Sequence, residues 1–315
     1  TLLTAGDYDF MLGDSRACAL VVSEALWPQF EGIVGKHKHL KHVIVSGKDA
    51  KGRLAFSGLM AKASAQFAPA QTTCDDMCFW LYSSGSTGSP KGTVHLHSHL
   101  IQTAELYARP VLGIQENDLV FSAAKLFFAY GLGNGMTFPM SVGATAILMA
   151  ERPTPQAVFK RLIEHKPSIF YGVPTLYAAL LASPELPKRE DLNMRVATSA
   201  GEALPADIGK RWTGHFGIEI LDGIGSTEML HIFLSNRPGE VRYGTTGKAV
   251  PGYGIRLIGE DGHPVAQGEI GELQISGPTA AILYWNNREK SRHTFMGEWT
   301  RSGDKYTRDA DGYYH

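Results

Sequence analysis

Residues 82–92 read Tyr82-Ser-Ser-Gly-Ser-Thr-Gly-Ser-Pro-Lys-Gly92, a stretch dense in glycine and hydroxyl side chains with one lysine near its end. An apolar run at residues 78–81 precedes it and predicts a buried strand, and a helical pattern follows from Ser98. The glycines let a ligand approach the backbone closely. Hydroxyls, backbone N–H groups and a lysine are the groups that bind polyphosphates. We therefore predict a phosphate-binding loop between two regular elements.

The loop differs from a Walker A motif. That motif ends in Gly-Lys-Ser or Gly-Lys-Thr, whereas here Pro90 precedes Lys91 and Gly92 follows it. The alternative is that these small residues only form a flexible surface connection. Segments further along the chain decide between the two interpretations.

Composition indicates a globular chain without a polyanionic partner. The chain has 315 residues, of which 43% are hydrophobic and 19% are charged, and its net charge is −1. These values allow a large core and more than one subdomain. No dense basic block suggests nucleic acid or a membrane surface, and no apolar run reaches the ~20 residues of a membrane span.

The cysteines and the first residues indicate the compartment. Cys18, Cys74 and Cys78 are an odd number without zinc-type spacing, which favours free thiols in a reducing, cytoplasmic setting. The start, Thr1-Leu-Leu-Thr4, carries no signal pattern. It also lacks a methionine, so we expect a fragment or a processed product.

Short β-rich runs alternate with helical patterns over residues 1–235. This alternation predicts an α/β fold with two layered, largely parallel α/β subdomains. Ligands in such folds lie at the carboxyl ends of strands, and segments 83–92, 199–203 and 222–228 fall there. The expected strands include 19–22, 42–45, 119–121, 143–148, 168–171, 195–198 and 218–221, and the expected helices include 23–34, 56–65, 98–108 and 174–181.

The pattern changes after about Asn236. Glycines become frequent and strands short, with a turn at residues 260–263 between the runs 254–258 and 269–276. This predicts a smaller antiparallel, β-rich subdomain. We therefore divide the chain into an α/β core of two interleaved subdomains at 1–235 and a β-rich subdomain at 236–315.

Asp222-Gly-Ile-Gly-Ser-Thr-Glu228 follows a predicted strand. Its two glycines would let the backbone pass beside a flat ligand such as a purine, and the Glu228 carboxylate could hold Mg²⁺ against phosphate oxygens. The alternative is an ordinary strand-to-helix turn whose glutamate favours a helix N-terminus.

Two shorter segments could likewise be either ligand-binding segments or ordinary turns. Ser199-Ala-Gly-Glu-Ala203 ends a predicted strand, and its alternative is a simple helix start capped by Glu202. Ser302-Gly-Asp304 offers a carboxylate that could accept hydrogen bonds from two hydroxyls. Alone, it would be interpreted as a Gly-Asp turn.

Four segments, in their order along the chain, resemble the motifs of the adenylate-forming superfamily, which includes acyl-CoA synthetases, luciferases and peptide-synthetase adenylation domains. They are residues 82–92, 199–203, 222–228 and 302–304. The resemblance covers essentially the whole chain. It implies ATP-dependent activation of a carboxylate to an acyl-adenylate and transfer to a thiol, usually coenzyme A. It places catalysis on Lys91, Thr227 and Glu228, with Mg²⁺ on Glu228 and the ribose hydroxyls on Asp304. The nucleotide-binding set that it implies is Ser84, Gly85, Ser86, Thr87, Gly88, Lys91, Ser199, Ala200, Gly201, Glu202, Asp222, Gly223, Ile224, Thr227 and Asp304.

Two further stretches bear on the acid. Residues 125–134 are rich in flat apolar groups, and Met229-Leu-His-Ile232 follows the Mg²⁺ glutamate. The sequences of these two stretches resemble those of benzoate–CoA ligases and of related ligases for substituted benzoates. That resemblance places an aryl pocket on Ala129, Tyr130, Gly225, His231 and Ile232. The alternative for each is an ordinary core position.

His95, His97 and His99 alternate in the sequence and could suggest a metal site. The third falls in a predicted helix, and no Asp, Glu or Cys accompanies them. We therefore favour a structural role for these histidines.

The chain departs from the superfamily pattern at both ends. Compared with that pattern it lacks an upstream segment and the small C-terminal domain, which carries a lysine that assists adenylation. We expect this chain to be a core that binds ATP and the acid and is impaired in adenylation when alone.

Three functions remain open from the residues. The first is a benzoate–CoA ligase using ATP, Mg²⁺ and coenzyme A. The second is a ligase for another acid, such as an aminobenzoate, a hydroxybenzoate or a fatty acid. The third is a non-catalytic nucleotide-binding module, against which the intact Lys91, Thr227 and Glu228 argue. The sequence does not decide whether the protein is a homodimer.

Overall fold

A computed structural model describes residues 3–85 and 88–315, with Ser84, Gly85 and Gly88 described by their backbone alone. The chain divides into two compact units. The first contains Thr1–Thr73, Tyr82–Thr93 and Tyr284–Arg288, and the second contains Cys74–Leu81, Val94–Leu283 and Glu289–His315. Within the described ranges, no helix has both the length and the apolar character that crossing a bilayer requires.

The first unit is built on a small parallel sheet. Its strands have the order β1-β2-β3, and its core packs Tyr8, Trp27 and Val45. The first helix begins with a capping box, because Thr4 and Asp7 bond each other's backbone N–H. The elements are α1 Ala5–Ser15, β1 Ala19–Ser23, β2 His42–Ser46, β3 Leu54–Ala55 and α2 Phe56–Lys62.

The helix predicted over residues 23–34 forms differently. The structure has short 3₁₀ segments at Glu24–Gln29 and Val34–Lys36 instead. Pro28 lies inside the first segment and has no N–H to donate to an α-helical ladder, which accounts for the interruption.

A seven-stranded sheet organises the second unit, with the order β12-β11-β10-β9-β8-β6-β7. The five strands from β10 to β7 are parallel, and β11 and β12 are antiparallel to their neighbours. The strands are β6 Leu119–Ser122, β7 Thr145–Ile147, β8 Ile169–Gly172, β9 Val196–Ser199, β10 Ile220–Gly225, β11 Ile232–Ser235 and β12 Lys248–Ala249.

Helices cover this sheet. One packed cluster joins Phe170 of β8 to Tyr177 and Trp212 of two helices, which buries the sheet face as a parallel sheet requires. Thr154 caps the helix that begins at Pro155, because its side chain accepts from the Ala157 N–H. The helices are α3 His97–Thr103, α4 Ala129–Leu132, α5 Phe138–Val142, α6 Pro155–His165, α7 Pro174–Ala182, α8 Ala206–Phe216 and α9 Arg288–Thr294.

Two helices continue as π-helical segments, which the sequence did not predict. Ala104–Ala108 follows α3, and Gly133–Thr137 follows α4. The helix expected from Ser98 to Ala108 therefore begins one residue earlier and changes type at Ala104. Its N-cap position is Leu96.

A four-stranded antiparallel sheet of order β13-β14-β17-β16 lies within the predicted β-rich range. Its strands are β13 Gly254–Ile258, β14 Gly271–Ser276, β16 Phe295–Met296 and β17 Trp299–Tyr306. Within the same range, β12 belongs to the seven-stranded sheet. The boundary at 235/236 stays a prediction.

The strands beside the predicted phosphate loop form a fourth sheet. β4 Met77–Gly85 and β5 Gly88–Leu96 lie next to each other, with β15 Leu283–Tyr284 on the far side of β5. The strand expected at residues 78–81 forms, but its burial was predicted wrongly. Trp80 is 37% exposed and Met77 is 51% exposed.

Candidate functional site

A cavity of about 600 Å³ opens in the second unit, and mainly apolar atoms line it. It lies where β6, β9 and β10 end, as the rule for parallel sheets predicts. All five residues of the predicted aryl pocket line it, namely Ala129, Tyr130, Gly225, His231 and Ile232. Four residues of the predicted nucleotide set line it too, namely Ala200, Gly201, Glu202 and Thr227. The structure therefore brings two separately predicted groups around one space.

Tyr130 contributes a neutral ring to the cavity wall. Its hydroxyl lies 2.5 Å from the hydroxyl of Thr198 at the end of β9. Burial raises the pKa of Tyr130 well above its usual value, so the phenol keeps its proton. This bond fixes the direction of the ring, and the wall carries no charge at this point.

His231 lies deeper in the wall and is 3% exposed. Its ring packs against Tyr107, Tyr130 and Phe138, with centroid distances of 5.2, 5.6 and 4.5 Å. Its Nε2 lies 3.1 Å from Oδ1 of Asn134. Burial lowers the pKa of His231 to about 3, so the imidazole is neutral at physiological pH.

The structure gives a reason for the two glycines of residues 222–228 that the sequence did not reveal. A Cβ at Gly223 would lie 2.6 Å from the carbonyl oxygen of Leu234, and one at Gly225 would lie 2.6 Å from that of His231. Both contacts are with the backbone at or beside β11, which pairs with β10. Close pairing of these strands therefore requires glycine, whatever ligand the cavity takes.

A buried histidine forms a hydrogen bond with the backbone carbonyl of Thr227. His95 donates from Nε2 to the Thr227 carbonyl at 2.8 Å, and its Nδ1 lies 3.0 Å from Nδ1 of His99. Burial lowers the pKa of both imidazoles to about 4. These contacts agree with the structural role that the sequence favours for His95 and His99.

Two carboxylates lie near each other on the second unit. Burial raises the pKa of Asp304, and the negative charge of Glu228 raises it further. The backbone at Asp304, within β17, is held by Ser302, whose hydroxyl accepts from the Asp304 N–H at 3.0 Å and donates to the Leu273 carbonyl at 2.9 Å. Gly303 sits at φ +84, a conformation that favours glycine.

These oxygens fit Mg²⁺ chemically. Mg²⁺ is usually bound by one or two carboxylates together with substrate phosphates and water. Among residues 3–85 and 88–315, no three His, Cys, Asp or Glu side chains form a metal-binding cluster. A divalent ion here would therefore rely on Glu228 together with nucleotide oxygens.

The segment 199–203 leaves β9 without starting a helix. Gly201 has φ +95, and α8 begins only at Ala206, with Pro205 in the cap position. The alternative of a helix capped by Glu202 is therefore wrong. Asp222 is 3% exposed at the neighbouring β10, and burial raises its pKa to about 7. Its side chain lies in the protein interior.

The predicted phosphate loop belongs to the first unit. Ser86 and Thr87 lie outside the described residues, and the strands β4 and β5 flank them. Lys91 Nζ lies 4.7 Å from the centre of the Tyr284 ring, within range of a cation–π contact. Tyr82 donates to Asp14 at 2.6 Å, and its ring fills the space beside Gly92.

Four neighbours of the predicted pocket were missed. Tyr107, Phe138 and Asn134 surround His231, and Thr198 bonds Tyr130. Asn134 is the last residue of the stretch 125–134, which the sequence already links to the acid. The others carry no local signal, because only tertiary packing brings them to His231 and Tyr130.

Comparison with known proteins supplies relatives. The AMP-binding enzyme family matches residues 1–285. The chain is 65% identical, over its full 315 residues, to a benzoate–CoA ligase of Thauera aromatica, and covers 59% of that protein. It is 49% identical to a 4-hydroxybenzoate–CoA/benzoate–CoA ligase of Rhodopseudomonas palustris, covering 58% of it.

Solved structures agree with this fold. A benzoate CoA ligase from Burkholderia xenovorans LB400 matches with a TM-score of 0.94 and 61% identity, over 100% of this chain and 62% of that one. An anthranilate CoA ligase, AuaEII, in complex with anthranoyl-AMP matches with a TM-score of 0.96 and 42% identity, over 100% of this chain and 61% of that one. The chain thus spans about three fifths of these relatives.

Proposed function

This chain belongs to the family of AMP-binding enzymes, and we propose that the protein containing it is an acid–thiol ligase for benzoate. The reaction joins the acid to AMP at the expense of ATP and then passes the acyl group to coenzyme A. One observation carries the proposal. Predicted aryl-pocket residues and predicted nucleotide residues line a single cavity of about 600 Å³.

The walls of the cavity suit a flat, uncharged ring. Tyr130 and His231 present aromatic faces, and both are neutral because burial opposes their charged forms. A benzene ring gains free energy from this burial and from offset aromatic contacts. The carboxylate of the acid would then face the end of the cavity lined by Gly201 and Thr227.

The chemistry requires charge compensation. An oxygen of the acid attacks the α-phosphorus of ATP, a new P–O bond forms, and pyrophosphate leaves with the electrons of the broken bond. Attack of one anion on another is slowed by repulsion, which Lys91 and the N–H groups of the phosphate loop would offset. When bound, Mg²⁺ neutralises phosphate charge, and Glu228 would hold it. The thiolate of coenzyme A then attacks the acyl carbon and AMP leaves.

The remaining predicted residues bind the nucleotide in this proposal. Thr227 would donate its hydroxyl to a phosphate, and Asp304 would accept from both ribose hydroxyls. Segments 199–202 and 222–224 would flank the adenine. Support comes from the cavity lining for the first segment and from the raised pKa of Asp304 near Glu228, which marks a carboxylate pair that a cation would stabilise.

A hydroxybenzoate is the second candidate substrate. The relative that is 49% identical carries 4-hydroxybenzoate in its name beside benzoate. A ring hydroxyl would need a polar partner in the wall, and His231 lines the cavity with its Nε2 bonded to Asn134.

We also propose a cytoplasmic location. Cys18, Cys74 and Cys78 are free thiols in the structure, which supports a reducing compartment.

The test is acid-dependent ATP–pyrophosphate exchange by the complete protein. Benzoate is compared with 4-hydroxybenzoate, 2-aminobenzoate and a medium-chain fatty acid. We expect the highest kcat/KM with benzoate, formation of benzoyl-CoA when coenzyme A is added, and loss of about 10²-fold or more in kcat for Lys91→Met. Nucleotide binding without exchange for any acid would contradict the proposal and favour a binding module.

A further inference from the structure

His231, which lines the cavity, is contacted by the π-helical segment Gly133–Thr137. Such segments are rare and are frequently found at functional sites. Here the segment follows α4, which begins at the pocket residue Ala129. Two consecutive residues of the segment contact His231. Gly133 has no side chain, and Asn134 has a polar one.

Gly133 makes room for the imidazole. A Cβ at this position would lie 2.5 Å from Cδ2 and 2.8 Å from Nε2 of His231, and 3.0 Å from the ring of Phe138. Real Cβ atoms essentially never approach another heavy atom below 3.0 Å. The observed placement of His231 therefore depends on glycine at position 133.

Asn134 fixes the orientation of the same ring. It is fully buried, and its Oδ1 accepts from Nε2–H of His231 at 3.1 Å. A neutral imidazole has one N–H, so this bond selects its tautomer. The amide Nδ2 has no partner among the described residues. Because an unpaired buried donor lowers stability, stability alone does not account for an asparagine here.

We propose that Gly133 and Asn134 are positioning residues that hold His231 in the cavity wall and thereby determine which substituted benzoates the cavity accepts. The inference rests on the proposed function. Tyr107 and Phe138 pack against the imidazole, so the open volume of the cavity is where a displaced ring can move. A methyl group at position 133 would push the ring into that volume, and loss of the amide would let the ring rotate.

The experiment measures pyrophosphate exchange by the complete protein with benzoate, 2-aminobenzoate, 3-hydroxybenzoate and 4-hydroxybenzoate. For Gly133→Ala we expect kcat/KM for at least one substituted acid to fall about tenfold or more relative to benzoate, mainly through KM. Asn134→Leu keeps the volume and should also change this ratio. The matched control is Gly135→Ala in the same segment, whose methyl would meet Leu126 and Leu148. It should change the ratios by less than about threefold.

A double-mutant cycle shows whether Gly133 acts through His231. In a His231→Ala background, Gly133→Ala has no imidazole to displace, so we expect it to leave the acid ratios unchanged. Equal effects in both backgrounds, or a parallel loss for all four acids, would overturn the inference. If Gly133→Ala does not fold, unchanged ratios in Asn134→Leu would overturn it. No exchange by the unmutated protein with any acid would instead contradict the proposed function.

Discussion

Three buried histidines, His95, His99 and His231, have pKa values well below the usual 6.5, at about 4, about 4 and about 3. Burial is the main cause in each case, because the interior penalises the imidazolium ion. The identity of these residues is readable from the sequence, but their neutrality is not. It depends on burial against Tyr107 and Phe138 for His231, and burial lowers the pKa of His95 although the Thr227 carbonyl raises it.

These shifts predict acid lability. The unfolded chain protonates the histidines near pH 6.5 while the folded one does not, so the free energy of unfolding is fully retained above pH 6.5 and falls below it. The limit is about 1.4 kcal/mol per pH unit for each histidine. Asp222 acts in the opposite direction, because its pKa is raised to about 7 and its contribution is lost as pH rises from about 4 to 7.

Urea unfolding between pH 4 and 8 checks this balance. We expect stability to drop below pH 6.5, and to drop more steeply in Asp222→Asn, where the opposing group is absent. A flat profile from pH 6.5 to 4.5 in both proteins would contradict the burial argument.

At the scale of elements, the strands and their order of alternation follow from the sequence, whereas their contacts do not. β8 and β9 are fully buried and carry the apolar runs that predict them. The predicted turn at residues 222–228 is partly strand, because β10 extends to Gly225 and pairs with β11. The π-helical segments escape prediction, since their apolar spacing is that of ordinary helices and a single extra residue per turn leaves no local signal.

The close pairing of β10 with β11 predicts that Gly225→Ala destabilises the protein. The added Cβ would lie 2.6–2.8 Å from backbone atoms of His231 and Ile232, so the strands must separate. We expect a loss of about 1–3 kcal/mol in stability, together with weaker binding of the acid, measured by denaturant unfolding and by KM.

Gly214→Ala is the matched control for this change. Gly214 lies within α8, and its Cβ would meet nothing within 4 Å. Alanine there should raise stability by about 0.5–1 kcal/mol because glycine disfavours helices. Equal effects of the two substitutions would refute the packing account of Gly225.

For the whole molecule, composition and motif order predict an α/β fold with an antiparallel addition, and the structure and its relatives agree. The resemblance also groups Tyr130 with His231, and in the structure both line one cavity. It could not supply the partners of these residues. Thr198 and Asn134 lie 68 and 97 residues along the chain from the side chains they bond.

The connection at residues 66–73 gives a test at this scale. It has no helix or strand and is exposed throughout. Phe67 is 85% exposed there. Brief chymotrypsin treatment should therefore cut first after Phe67, as identified by mass spectrometry of the fragments. Phe67→Ala should remove that cut, and a first cut within the strands of the seven-stranded sheet would contradict the fold description.

The central claim is that an aromatic acid and its nucleotide share the cavity between β9, β10 and α4. The most direct measurement is calorimetric titration of the complete protein with a stable benzoyl-adenylate analogue, compared with AMP alone. We expect the benzoyl group to tighten binding by about 10²-fold or more, and Gly133→Ala to remove part of that gain while leaving the affinity for AMP unchanged. Equal affinity for AMP and the analogue would contradict the claim.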